Sequence, residues 1–300
     1  IVLDNLSTGN LKSIPRNVTF INGNIKSSLL VKKIIKKYFI KNVIHLAAYT
    51  KIEESILNPS KYYSNNLINT INFLNACGES KIKNIIFSST AACYGKKTKI
   101  LVKEKSVLNP TNPYGKSKLL AESAIIDLSK FYNIRYGVFR FFNVAGADSK
   151  LRTGPFTKPS NHLIAKICEN YIGLTKNFEV FGNNYKTKDG TCVRDYVHVM
   201  DIAEAHVNAI NYLNHNNSFI SNLGYGRGYS VLEVISTLKK ITKKKINFTI
   251  SEKRKGDVAS IIADNSFAIN KLRWKPRYDN LNLIIKHQLE WFKKLHGKKN

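Results

Sequence analysis

Short apolar runs alternate with longer stretches of helical periodicity through the first half of this chain. Ile1-Val2-Leu3, Val18-Thr19-Phe20-Ile21, Val43-Ile44-His45-Leu46, Ile85-Ile86-Phe87 and Tyr136-Gly137-Val138-Phe139 are bounded by polar turns. Runs this short and this apolar are buried strands. Ser27–Phe39, Pro59–Cys77 and Tyr114–Tyr132 lie between them and predict helices. Such alternation yields a Rossmann-like, doubly wound parallel α/β sheet with helices on both faces. Ligands of these sheets bind beyond the carboxyl ends of the strands. Asp4, Asn24, the Thr50 region and Ser88-Ser89-Thr90 fall there.

Past about residue 146 the rhythm loosens, punctuated by Pro155, Pro159, Gly173, Gly182 and Gly190. The expected division is an α/β domain over residues 1–146 and a smaller α/β lobe over 147–300. Ser230-Val231-Leu232-Glu233 is a capping box that opens a helix. Gly224, Gly226 and Gly228 precede it. They predict a turn into that helix, because no Gly-Lys-Ser/Thr phosphate loop accompanies them.

Tyr114-Gly-Lys-Ser-Lys118 places a phenol and an ammonium at i and i+4, on one helix face. A neighbouring ammonium favours phenolate and lowers a tyrosine pKa from about 10. A strand-end hydroxyl from Ser88–Thr90 can share a hydrogen bond with that phenol. The three groups make a proton-transfer device for a carbinol.

The formal charge of +28 raises the question of a nucleic-acid partner. The lysines are spread along the whole chain, in Lys32-Lys33, Lys36-Lys37, Lys243-Lys244-Lys245 and Lys298-Lys299. No aromatic-interleaved stripe accompanies them, and Lys, Asn and Ile are all abundant. Compositional bias is the better account, and no nucleic-acid partner is expected. No apolar run approaches the ~18 residues of a membrane span. Cys77, Cys93, Cys168 and Cys192 show no metal spacing and fit a reducing, cytoplasmic setting.

Several longer segments carry a resemblance over nearly the whole chain. They are Asp4–Gly9, His45–Ala48, Tyr62–Asn66, Phe87–Gly95, Asn112–Lys118, Arg140–Ala147, Gly190–Val199 and Arg254–Asp257. In this order they resemble the extended short-chain dehydrogenases/reductases, and among them the UDP-glucose 4-epimerases. The resemblance implies bound NAD and a UDP-sugar substrate oxidised transiently at C4. It implies catalytic roles for Thr90, Tyr114 and Lys118. Cofactor contacts would come from Asp4, Asn5, Asn24, Ile25, Leu46, Ala47, Ala48, Asn66, Ser88, Tyr114, Lys118 and Phe142. Substrate contacts would come from Thr90, Tyr114, Asn143, His162, Leu163, Phe181, Arg194, Arg254 and Asp257. Arginine forks suit diphosphate oxygens. For Arg194-Asp195 a structural ion pair is the competing reading, and for Arg254 a surface charge. His162 and His198 read as hydrogen-bonding scaffold. The resemblance also implies a homodimer packed through Pro59–Cys77 and Tyr114–Tyr132, and return of parts of about 191–215 to the first domain.

Ala91-Ala92 stands where dehydrating relatives carry acid and base residues, which favours epimerisation without elimination. Other departures bear on the cofactor and the sugar. The family's leading strand and glycine turn do not precede Ile1, so the expectation is an N-terminal truncation with impaired NAD binding. Asn24 replaces an Asp, Thr50 a Lys and Phe141 a Tyr, and Ile261 replaces a bulkier residue of some relatives. Less bulk at Ile261 predicts room for an N-acetylated sugar. The alternatives are a 4-epimerase of a UDP-N-acetylhexosamine, UDP-uronate or UDP-pentose, or a non-catalytic relative.

Overall fold

The computed structural model describes residues 1–95, 100–156, 162–254 and 256–297. Pro159, Lys298 and Lys299 lie outside the described residues. The first half runs β1 (Val2–Asp4), β2 (Phe20–Asn22), α1 (Ser28–Tyr38), β3 (Asn42–His45), α2 (Ile52–Leu57) and α3 (Pro59–Tyr63). A π-helical segment, Ser64–Ile68, leads into α4 (Asn69–Glu79), followed by β4 (Asn84–Thr90), β5 (Leu101–Val102), α5 (Pro113–Phe131), β6 (Arg135–Phe141) and β7 (Asn143–Ala145). The second half runs α6 (Leu163–Tyr171), β8 (Glu179–Phe181), β9 (Val193–Arg194), β10 (Tyr196–His198), α7 (Val199–His215) and β11 (Phe219–Leu223). It ends with β12 (Tyr229–Ser230), α8 (Val231–Thr242), β13 (Thr249–Ser251), β14 (Ser260–Ala263), α9 (Ser266–Asn270) and α10 (Leu281–His296).

The main sheet is parallel in the order β11-β6-β4-β3, and β1 and β2 form a parallel pair. The pair joins the body through α1. Val31, Ile34 and Ile35 recur at helical spacing and are buried, while Lys32, Lys33, Lys36 and Lys37 stay on the outer side. Ser27 caps the start of α1, and Lys36 and Lys37 lie in its last turn, where the helix dipole favours cations. Val31 and Ile35 share a core with Phe73, Leu74 and Cys77 of α4 and with Ile85, Phe87 and Val138 of the sheet.

The sequence-predicted strands are present, with β4 and β6 extended at both ends. The expected helix over 59–77 is continuous only through the π-helical turn. From the loosely patterned second half, β10 pairs with β7, and β11 adds to β6 at the edge of the main sheet. A second core lies between that edge and the late helices, around Phe139, Ile164, Val197, Leu223, Trp274 and Ile285. The fold is α/β with parallel sheets, as the alternation predicts.

Candidate active site

The phenol is placed by the start of α5. Asn112 caps this helix, its Oδ1 accepting the Gly115 amide at 2.8 Å, and Pro113 occupies the first turn. Gly115 lets the helix approach the turn after β4 closely, since a Cβ there would lie 2.8 Å from the Ala92 carbonyl oxygen. Tyr114 is thereby set beside the end of β4, and Thr90 and Tyr114 line the same cleft. Thr90 Oγ1 accepts the Ala92 amide at 3.2 Å, which fixes its rotamer.

One turn along, Lys118 is buried, with its ammonium 4.1 Å from the centre of the Phe87 ring. It makes no hydrogen bond among the described residues. Burial, partly offset by Cys93 and Glu122, drives its pKa down to about 8. Burial also pushes Tyr114 up to about 12, with Thr90 as the opposing influence. The sequence expectation was that Lys118 lowers the tyrosine. In this structure desolvation outweighs any such effect on the phenol.

Behind the dyad lies a charged network. Glu122 follows Lys118 by one turn and accepts from Nε and Nη2 of Arg140, the latter at 2.7 Å, and from Ser89 Oγ. Arg140 reaches on to Tyr94 Oη at 3.2 Å and the Glu104 carbonyl at 2.9 Å. Tyr94 donates to Asn222, which donates to the Val102 carbonyl. These bonds tie α5 to β4, β6, β11 and β5. Motif reading missed Glu122 and Arg140 as partners, although Glu122 continues the i, i+4 series from Tyr114 and Lys118.

A cleft of about 750 Å³ opens at the carboxyl end of the sheet. Ser88, Thr90, Tyr114, Phe142, Asn143, His162, Leu163, Phe181, Arg194, Arg254 and Asp257 line it. The sequence-predicted substrate residues therefore converge. Ala91, Ala92, Phe141 and Ile261 line it too. Arg194 Nη2 lies 3.7 Å from Asp257 Oδ1. Arg254 stacks 3.8 Å from the Phe181 ring centre and pairs with Glu53 at 3.4 Å.

Asp195 does not pair with Arg194. Its buried carboxylate accepts the amides of Tyr225, Gly226 and Ala263, at 2.8, 2.9 and 3.2 Å. Gly224 is needed for that wrap, because a Cβ there would meet Asp195 Oδ2 at 2.5 Å. Gly224 and Gly226 thus form a collar for a carboxylate, while Gly228 packs against Val193 and Ile262 before the Ser230–Glu233 capping box. His198 is a scaffold residue, bonded through Nε2 to Nδ1 of His287 at 3.0 Å. His162 caps α6 through its backbone without a side-chain bond.

The remaining predicted residues lie outside this cleft: Lys118 on α5, Asn66 on the π-helical segment, and the others at the ends of β1, β2 and β3. Asp4 accepts the Leu6 amide at 2.6 Å through Oδ1. Asn5 and Asn24 accept the amides of Ser7 and Lys26 in local turns. Ile25 is buried in the core beside α1, whereas Leu46 and Ala47 are exposed and Ala48 partly so. Asn66 is buried and its amide is fully engaged, exchanging bonds with the Tyr49 backbone and donating to Ser117 Oγ. It pins the loop after β3 to α5. The donor set suits a dinucleotide: an acidic residue closing β1, an exposed apolar loop after β3, and a buried ammonium lacking a hydrogen-bond partner among the described residues.

A strand-end hydroxyl on a parallel sheet, with a phenol and an ammonium on the adjoining helix, is the arrangement of a short-chain dehydrogenase/reductase. The family described as GDP-mannose 4,6 dehydratase matches residues 2–286. A UDP-glucose 4-epimerase of Lactobacillus helveticus is 40% identical over 294 residues, covering 98% of this chain and 89% of its own length. The Brucella ovis UDP-glucose 4-epimerase, solved in complex with NAD, superposes with a TM-score of 0.93 at 37% identity, covering 97% of this chain and 89% of that one. The UDP-Glc/GlcNAc 4-epimerase of the human pathogen Campylobacter jejuni superposes with a TM-score of 0.83 at 38% identity, covering 97% and 91%. The chain belongs to the extended short-chain dehydrogenase/reductase family, in its UDP-glucose 4-epimerase branch.

Proposed function

We propose that this protein is an NAD-dependent UDP-glucose 4-epimerase that interconverts UDP-glucose and UDP-galactose through a 4-keto sugar. The observation that carries the reading is the convergence of Thr90 and Tyr114 on one cleft, with Lys118 one helical turn behind the phenol and Arg194 and Arg254 in the same lining. NAD, when bound, would supply the hydride acceptor. Tyr114 takes the proton of the sugar 4-hydroxyl as that carbon is oxidised, and returns it after the ketone has presented its other face. Thr90 bridges the phenol and the sugar hydroxyl. Lys118 holds the nicotinamide ribose, which would satisfy its buried ammonium.

Asp4, Asn5, Asn24, Ile25, Leu46, Ala47, Ala48, Ser88 and Phe142 would complete the cofactor site, with Asn66 setting the loop after β3. Arg194 and Arg254 face the diphosphate, and Asn143, His162, Leu163, Phe181 and Asp257 the rest of the nucleotide sugar. Residues 1–146 then form the cofactor domain and 147–300 the substrate lobe, with part of the later chain returning to the first. Ala91 and Ala92 line the cleft beside Thr90 and offer no proton for elimination.

Two coarser features support assignments beyond the reaction. Exposed Ile68, Leu120 and Phe131 on the π-helical segment and α5 suit a homodimer packed through these helices. No helix among the described residues is long and apolar enough to cross a membrane, and all four cysteines are free and buried, which suits a cytoplasmic enzyme.

The test is direct. Purified protein supplied with NAD should convert UDP-galactose to UDP-glucose, read by NMR of the anomeric protons. Tyr114→Phe should remove that conversion and keep the bound NAD. Conversion undiminished in the variant would take Tyr114 out of the mechanism. A second substrate is favoured by one observation: Ile261, modest in bulk, lines the cleft. UDP-N-acetylglucosamine should turn over as well, and its absence from the products would remove that reading.

A further inference from the structure

Glu53 and Glu54 are adjacent on α2 but have different partners. Glu54 is engaged within the first domain, by Lys61 at 2.5 Å and by Tyr62 Oη at 2.9 Å. Glu53 instead reaches across to Arg254, on the segment that follows β13, with Oε1 at 3.4 Å from Nε. Both residues line the large cleft. Their pairing therefore joins one wall, carried by α2, to the other, carried by the segment between β13 and β14.

The contact is electrostatic without being a hydrogen bond. Arg254 Nε is buried and has no hydrogen-bond partner among the described residues. Its guanidinium is held on one face by Phe181 and by Coulomb attraction to Glu53. The Glu53 side chain is 73% exposed, so its own position is loosely held. A guanidinium with an unspent donor, facing a weakly held carboxylate, is ready to exchange that carboxylate for a better acceptor. A diphosphate is one, with more charge and two-pronged geometry. The two anions cannot share the site cheaply, because a carboxylate left beside a bound diphosphate repels it.

We propose that Glu53 is a built-in competitor for the diphosphate subsite, occupying Arg254 until a nucleotide diphosphate displaces it. Glu53 thereby weakens binding of UDP and UDP-sugars and speeds their release. This inference rests on the reading of Arg254 as a diphosphate ligand. It adds that the ligand must evict a resident anion.

The experiment is calorimetric titration of UDP, with uridine as the phosphate-free control, into the full chain at equal bound NAD. Glu53→Gln should tighten UDP binding about two- to fivefold at low salt, the range set by an exposed ion pair. The gain should shrink as salt is raised toward about 1 M, where the Debye length falls to ~3 Å and much of the attraction is screened. Uridine should bind both forms alike. Unchanged or weaker UDP binding in Glu53→Gln, together with weakened binding in Arg254→Ala, would overturn the competitor role while leaving Arg254 as a ligand. UDP binding unaffected by Arg254→Ala would overturn the ligand assignment and the competitor with it.

Discussion

Arg140 and Glu122 meet as a two-pronged ion pair with both side chains only 2% exposed, one helical turn behind Lys118. Removing one partner leaves a buried charge uncompensated, a loss of about 3–5 kcal/mol. Glu122→Ala is expected to lower the unfolding free energy by that order in urea. Replacing both by Leu and Met should recover much of it, since a buried pair gains little over apolar packing. A double variant as unstable as the single one would show that the pair is more than self-compensating.

Gly115 offers a subtler probe of the same helix. Gly115→Ala places a methyl 2.8 Å from a backbone oxygen of Ala92, and neither can move as a flexible side chain would. The start of α5 must shift from the turn after β4, which separates Tyr114 from Thr90. The expected result is a stability loss of about 1–3 kcal/mol. Turnover should fall more than substrate affinity, in steady-state kinetics with UDP-galactose.

Thr90→Val and Tyr114→Phe should differ in degree. The phenol is the group that exchanges the proton, so its loss should cost at least 10²–10⁴-fold in kcat. Thr90→Val leaves the phenol present and should cost less. Because burial holds Tyr114 near 12, a kcat that rises with pH through the neutral range would report how far bound NAD lowers this value.

Acid sensitivity follows from the buried histidines. His198 Nδ1 accepts the Met200 amide at 3.1 Å, so the ring proton sits on Nε2 and is donated to His287. Burial, aided by His287, lowers His198 to about 4, and burial lowers His45 to about 3. Unfolded histidines titrate near 6.5, so the unfolded chain binds more protons as pH falls below that value. Stability should be flat above pH 6.5 and fall from there toward about pH 4. Asp195, raised to about 6, and Asp279, also raised by burial, work the other way between their unfolded and folded values, but His162, His206 and His287 are lowered by burial as well and add to His45 and His198. Urea midpoints at pH 5 and 7 check this, and His198→Gln should reduce the difference.

Much of the site was legible because its chemistry is local. Tyr114 and Lys118 sit on one helix face, and Ser88–Thr90 end one strand, so spacing alone brought them to the same end of the sheet. Burial depth has no such signature, which is why Tyr114 lies above its ordinary pKa when the i+4 ammonium suggested the reverse. Long-range partners were equally silent. Arg194 is followed directly by a carboxylate, yet it pairs with Asp257, because Asp195 turns inward to three amides. Glu53 and Arg254 lie far apart in sequence and belong to no common pattern. In the second half, β11 joins the main sheet from a stretch whose few residues carry little periodicity.

Asp195 has a mechanical consequence for the cleft. Its carboxylate fastens Tyr225, Gly226 and Ala263, while its carbonyl takes the Asn143 amide at 2.9 Å. Asn143 and β14, with Ile261, are thereby riveted into a single stiff wall. Among the described residues nothing comparable fastens Arg254, whose Nε has no hydrogen bond there and whose carboxylate partner is largely in solvent. The Ile261 wall is therefore the fixed side of the cleft, and the Arg254 side is the one that can adjust to whatever enters.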